Sequence, residues 1–143
     1  MSGFFIDTFF LPWFGVDLPN RKAVIVGDGN QPASFTHRKD VGKSVAKLIL
    51  KDNCKEEVIR LESEAMTLNN AFKLYEQIKV VKLDLTYDPI NEVKKRIASE
   101  STDIWAKAID ALRLAIAEGL GKNSSPIYPS INPISIKDYF NNL

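Results

Sequence analysis

The chain has almost none of the cysteine and histidine that build zinc sites or staple small folds. It carries one cysteine, Cys54, and one histidine, His37, in 143 residues. A lone cysteine excludes an internal disulfide framework and fits a reducing compartment. One cysteine with one histidine also excludes the four-ligand zinc patterns. Neither sign of charge dominates: 19 basic residues stand against 18 acidic ones, a formal net charge of +1. Such a balance gives no electrostatic footprint for nucleic acid or a membrane surface. No apolar run is long enough to span a bilayer. The most apolar stretch, at the N-terminus, is broken by Asp7 and lacks the basic n-region and small-residue cleavage site of a signal peptide. No internal repeat is visible. These absences lead to the expectation of a cytoplasmic protein with neither nucleic acid nor a membrane as partner.

What is present is enough apolar material for a core, 45% of the residues, which argues against disorder. It is unevenly placed. Met1 to Val16, MSGFFIDTFFLPWFGV, holds five of the eight Phe and one of the two Trp. Phe5, Phe9, Phe10 and Trp13 fall near helical spacing, so a short helix ending at Leu11-Pro12 is expected. Six large aromatics between Phe4 and Phe14 exceed what one face of a short helix hides. They are therefore expected to be poorly buried and to draw the chain into self-association.

Lys22 to Leu50 is the most informative stretch. Ala23 to Val26 is a continuous β-branched-rich run, the pattern of a strand buried on both faces. Gly27-Asp28-Gly29-Asn30 breaks it, since Gly and Asn tolerate positive φ. Ala33 to Phe35 forms a short strand, and a helix opens at Asp40 with Val41, Val45, Leu48 and Ile49 on one face. Further on, Val58 to Glu62 reads as a strand. Thr67 caps a helix through Tyr75. Val81, Leu83, Leu85 and Tyr87 alternate with polar residues as a half-buried strand. Asp88-Pro89 starts a helix with Asp88 as its cap. The longest helix runs from about Thr102 to Glu118, its stripe Trp105, Ala108, Ile109, Leu112, Ala115 and Ile116, and Gly119 stops it. Ser135 to Asp138 reads as a capping box before a last short helix. The physical reading is an α/β chain, treated as one domain over 1–143.

The chemistry on offer is thin. There is no G-x-G-x-x-G, so no strand-turn-helix holds a pyrophosphate on backbone amides. Gly27-x-Gly29 leads into a strand and is a turn. His37-Arg38-Lys39 suits an anion, but as a charge run it reads better as a solvated basic turn. His37 and Cys54 lack any activating neighbours for nucleophilic chemistry. Asp28, Asp84 and Asp88 are turn, strand-face and cap residues. Tyr75 and Lys79 have the spacing of a Tyr-x-x-x-Lys dyad but in the wrong fold order. No catalytic, metal or cofactor-binding residue is assigned.

Several segments, in order, carry a resemblance. They are Gly3-Phe4-Phe5-x-Asp7, the GDGN unit ending at Asp40, the run MTLNNAFKLYEQIKVVKLDLTYDPINEVKKRI, and Asn132 to Phe140. The chain resembles the C-terminal portion of NmrA-like and isoflavone-reductase-like proteins, of the atypical short-chain dehydrogenase superfamily. One departure is clear: the family follows the third helix with a Gly-Lys turn, and Gln77-Ile78-Lys79 has no glycine. The resemblance implies the substrate-side part of a Rossmann-type NAD(P)-binding fold without its N-terminal dinucleotide half. It implies a cleft wall for a small-molecule substrate, with Gly3, Phe4, Phe5, Phe9 and Trp13 as substrate-binding residues. It implies no cofactor in this chain alone and NAD(P) in the full-length family. Whether that makes an enzyme is left open. The alternatives are a redox-sensing regulatory binding protein and a self-contained α/β protein that dimerises through its aromatic terminus.

Overall fold

The computed structural model describes residues 3–50, 60–100, 103–123 and 131–143. Cys54, Val58 and Ile59 of the expected Val58–Glu62 strand, and Pro126 lie outside them; of the rest of that strand only Leu61 makes a bridge. The described chain is mixed α/β. In order it runs β1 (Phe4–Phe5), α1 (Ile6–Phe9), a 3-10 turn (Pro12–Phe14), β2 (Val16–Asp17), β3 (Lys22–Val26) and β4 (Pro32–Thr36). After α2 (Arg38–Ile49) come β5 (Glu64–Thr67), α3 (Leu68–Lys79), β6 (Asp84–Asp88), α4 (Ile90–Ala98), α5 (Ile104–Ala117) and α6 (Ile136–Asn141).

Two three-stranded sheets form, ordered β1-β4-β5 and β2-β3-β6. In each, one neighbour is parallel and one antiparallel: β1 and β6 run parallel to β4 and β3, while β5 and β2 run antiparallel to them. The β3–β6 register pairs Lys22 with Asp84 and Val26 with Asp88, so both strands end side by side. Pro32 opens β4, where its missing N–H is tolerated. Ala33, Ser34, Phe35 and Thr36 behind it are all buried.

Local signals set several boundaries as expected. Thr67 accepts a hydrogen bond from Asn70 N at the start of α3, and Ser135 and Asp138 form a full capping box on α6. Gly119, at φ +80°, follows α5. Others moved. The second helix opens at Arg38, not Asp40, because the His37 ring caps it by accepting from Lys39 N at 3.1 Å. Asp88 does not cap α4: Pro89 is the N-cap, and the Asp88 carboxylate pairs with Arg96 at 2.6 Å. The strand β5 is new.

The apolar stripe of α2 is a larger correction. It faces outward: Val45 and Ile49 are exposed, Ile49 at 75%, and the buried side chains of the helix are Asp40 and Ser44. Helical periodicity finds an apolar face but not which neighbours cover it. The stripe of α5 splits the same way. Ile109 and Ile116 are buried, whereas Trp105 (70% exposed), Ile104 and Leu112 point out. Meanwhile Asp110 and Arg113 turn toward ion pairs and the Val24 carbonyl.

The missing Gly-Lys turn has a structural counterpart. Val80, at φ 53° and ψ 47°, takes the left-handed position that closes α3, and it is exposed. A β-branched residue there is strained by about 1–2 kcal/mol. Val80→Gly removes the strain but adds about 0.5–1 kcal/mol of unfolded-state entropy. We expect a net gain of about 1 kcal/mol, read as a higher urea midpoint at unchanged slope. A lower midpoint would show that Val80 is held there without strain.

Candidate functional site

The aromatic terminus is the first feature to place. It is not one helix. A two-residue strand, a single helical turn and a 3-10 turn follow one another, with Gly15 at φ +86° closing the last. Each bend sends a ring in a different direction, so three rings point inward. Phe9, Phe10 and Phe14 are only 2–3% exposed. Phe9 meets Phe14 at 4.4 Å, Phe35 at 5.1 Å and Phe4 at 5.5 Å between centroids, and Phe10 meets Phe140 at 4.8 Å. The expectation that all six aromatics are poorly buried is therefore corrected. Phe5 (36%) and Trp13 (43%) are the exposed ones, and the Trp13 ring rests edge-on against Phe14 at 5.4 Å.

Of the residues assigned to substrate from sequence, Phe5 and Trp13 look outward, Phe4 is half-buried and Phe9 lies in the core. Gly3 has a backbone reason to be glycine: a Cβ there would sit 2.2 Å from the Ser34 carbonyl oxygen. Its N–H donates to Leu61 O at 3.2 Å. Behind the segment lies an enclosed cavity of about 10 Å³ between Phe9, Phe14, Val24, Phe72 and Arg113, room for about one water. Arg113 closes it. Its Nη2 donates to Val24 O at 3.0 Å, and burial pushes the guanidinium down from its ordinary range. A Cβ on Gly15 would meet that Nη2 at 3.2 Å.

A titratable cluster sits beside α1. Arg38 Nε donates to Asp7 at 2.5 Å, and the His37 ring lies 6.5 Å from that of Tyr139. Burial raises the Asp7 carboxyl, but the Arg38 hydrogen bond, its own backbone amide and the nearby His37 and Arg38 outweigh this and leave it below the usual range. Burial, and then the Asp7 charge, push the Tyr139 phenol up. Arg38 is engaged by Asp7 and the buried His37 ring caps α2, so two of the three residues in the His37-Arg38-Lys39 run are committed to structural contacts. The Tyr75-Lys79 spacing is also structural: Tyr75 is buried, edge-on to Phe140 at 5.2 Å.

The GDGN turn is clasped from α3. Asn69 Nδ2 donates to Asp28 O and Asn30 Oδ1, both at 2.8 Å, while its N–H reaches Gly29 O at 3.2 Å. Gly27 and Gly29 take φ +72° and +71°, and a Cβ on Gly29 would meet Asn69 Oδ1 at 2.6 Å. This pairing of two sequence motifs was not legible beforehand. The turn does not fit a dinucleotide pyrophosphate. It leads into β4 and not into a helix, and the α3 N-terminus that abuts it spends its Asn69 N–H on Gly29 O. Hydrogen bonds from Asn30, backbone first, hold the Asp28 carboxyl below its usual range, leaving a negative charge at the turn. Among the described residues no group of three or more His, Cys, Asp or Glu could hold a metal, and no helix is long and apolar enough to cross a membrane.

The fold is of mixed α/β type and matches part of the fold of isoflavone reductase. It superposes on a crystal structure of isoflavone reductase with a TM-score of 0.82 at 21% identity, over 99% of this chain and 50% of that one. The structure of AtPrR2 with NADP+ and (+)pinoresinol matches with a TM-score of 0.77 at 16% identity, over 98% of this chain and 49% of that one. In sequence, phenylcoumaran benzylic ether reductase PT1 of Pinus taeda is 28% identical over 154 residues, 99% of this chain and 49% of its own length. No protein-family model matches. In sequence the chain is similar to phenylcoumaran benzylic ether reductases and in fold to isoflavone reductase, and it spans about half the length of the curated relatives it matches.

Proposed function

We propose that the chain is the substrate-side half of an isoflavone-reductase-like, NAD(P)-dependent reductase. Its outward Phe5 and Trp13, carried by β1 and the 3-10 turn, form part of the wall against a small-molecule substrate. Gly3 and Phe4 seat that wall on β4, and Phe9 supports it from the core. The cofactor is held by residues outside these 143. The observation that carries this reading is the match to a reductase relative along nearly the whole chain, over only half of the relative. The uncovered apolar faces of α2 and α5 agree with it, since in this reading further chain packs on them. A self-contained protein that dimerises through its aromatic terminus is disfavoured by three inward-facing rings there.

The test is calorimetric titration of the chain with NADPH and NADH. No saturable binding is expected below about 1 mM, roughly −4 kcal/mol. A low-micromolar dissociation constant, about −8 kcal/mol, would place a cofactor site within these residues and sink the assignment.

A further inference from the structure

We propose that the groove at the carboxyl ends of β3 and β6 receives the guanidinium of an arginine side chain from another polypeptide. This site is independent of the reductase reading. The two strands end together, with Gly27 N donating to Asp88 O at 2.9 Å. Outside them lies an open groove of about 500 Å³, lined by Gly27, Asp28, Tyr87, Asp88, Pro89 and Ile90. The crevice beyond the carboxyl ends of parallel strands is where ligands of open α/β sheets commonly settle.

Two features of the groove define its ligand. The first is a fixed aromatic face. Tyr87 is 47% exposed, yet its hydroxyl donates to Asn69 Oδ1 at 3.0 Å, and Asn69 is itself held by three bonds to the GDGN turn. With the hydroxyl satisfied, the ring lines the groove as an exposed aromatic surface already ordered for a partner. The second is charge. Asp88 and Asp110 share Arg96, at 2.6 and 2.8 Å, and Arg113 lies 3.5 Å from Asp110, so two arginines balance these two carboxylates. Asp28 adds another negative charge, and among the described residues no cation pairs with it. One uncompensated negative charge, that of Asp28, therefore remains at the groove. A flat, weakly hydrated cation that stacks on a ring while facing a carboxylate is a guanidinium. A polypeptide source follows from position. Among the described residues β6 is an edge strand of its sheet, so an extended chain can lie along it and deliver one side chain into the groove.

The test is an amide NMR titration of the whole chain with N-acetyl-arginine amide, its neutral isostere N-acetyl-citrulline amide, and free L-arginine. The capped arginine should shift the Gly27, Tyr87 and Ile90 amides saturably. Citrulline should bind about tenfold more weakly. Asp28→Asn keeps an oxygen for the Asn30 amide and should lower arginine to the citrulline level. Tyr87→Leu removes the ring face and should weaken arginine by a similar factor, which covers a turn disturbed by the first substitution. Equal binding of citrulline and arginine, or shifts confined to other surfaces, would overturn the site. Tighter binding of free L-arginine than of the capped form would overturn the polypeptide assignment.

Discussion

Phe9→Ala is expected to destabilise the chain by about 3–5 kcal/mol, while Trp13→Ser costs less than about 1 kcal/mol. The two residues are four apart in one aromatic segment, and composition treats them alike. Packing separates them. The Phe9 ring is 2% exposed and touches rings from β1, the 3-10 turn and β4, so truncation opens a void that those neighbours fill only in part. Trp13 shows much of its surface to solvent and has one ring neighbour. Urea denaturation of both variants followed by circular dichroism decides the matter. Equal, small losses would mean that the inward ring cluster does not form. A large loss for Trp13 would move that residue from the surface wall into the core.

Asp40→Ala is expected to cost about 2–4 kcal/mol and to loosen α6 before the rest of the fold. Asp40 has no exposed surface. Its Oδ2 accepts from Ile134 N at 2.6 Å, and its Oδ1 lies 3.3 Å from Lys43 Nζ. Alanine leaves a half-buried amide unpaired and removes the tie between α2 and the segment that leads into α6. A second tie, Ile136 N to Glu64 Oε2 at 3.0 Å, is not enough to replace it. Asp40→Asn keeps an acceptor for Ile134 N and should lose about half as much. Hydrogen exchange gives the local readout: amides of 136–141 should lose protection in the alanine variant at temperatures where β3 and β4 stay protected. Uniform loss of protection would show that α6 is not separable from the core.

The sequence marks Asp40 only as the residue at which a helix opens. The partner that gives it a larger role is Ile134, 94 residues away. The clasp between GDGN and Asn69 was hidden for the same reason. Both motifs were visible as turn and helix start, but the bond between them spans 41 residues. The outward turn of Val45, Ile49, Trp105 and Leu112 is the opposite error, in which a correct helical period was assigned a burial that no neighbour among the described residues provides.

The sequence by itself determined what depends on near neighbours. Strand β3 came from a β-branched run, the turn after it from Gly27 and Gly29, the start of α3 from Thr67, and α6 from the Ser135–Asp138 box. Each is set by φ/ψ preference or by hydrogen bonds within about four residues. The order of such segments also carried the family resemblance. Tertiary structure alone decided which aromatics are core, what Asp40 and Asn69 hold, and which helix faces stay open. Burial and long-range hydrogen bonds are properties of pairs of elements, and a pattern read along one element specifies only half of each pair.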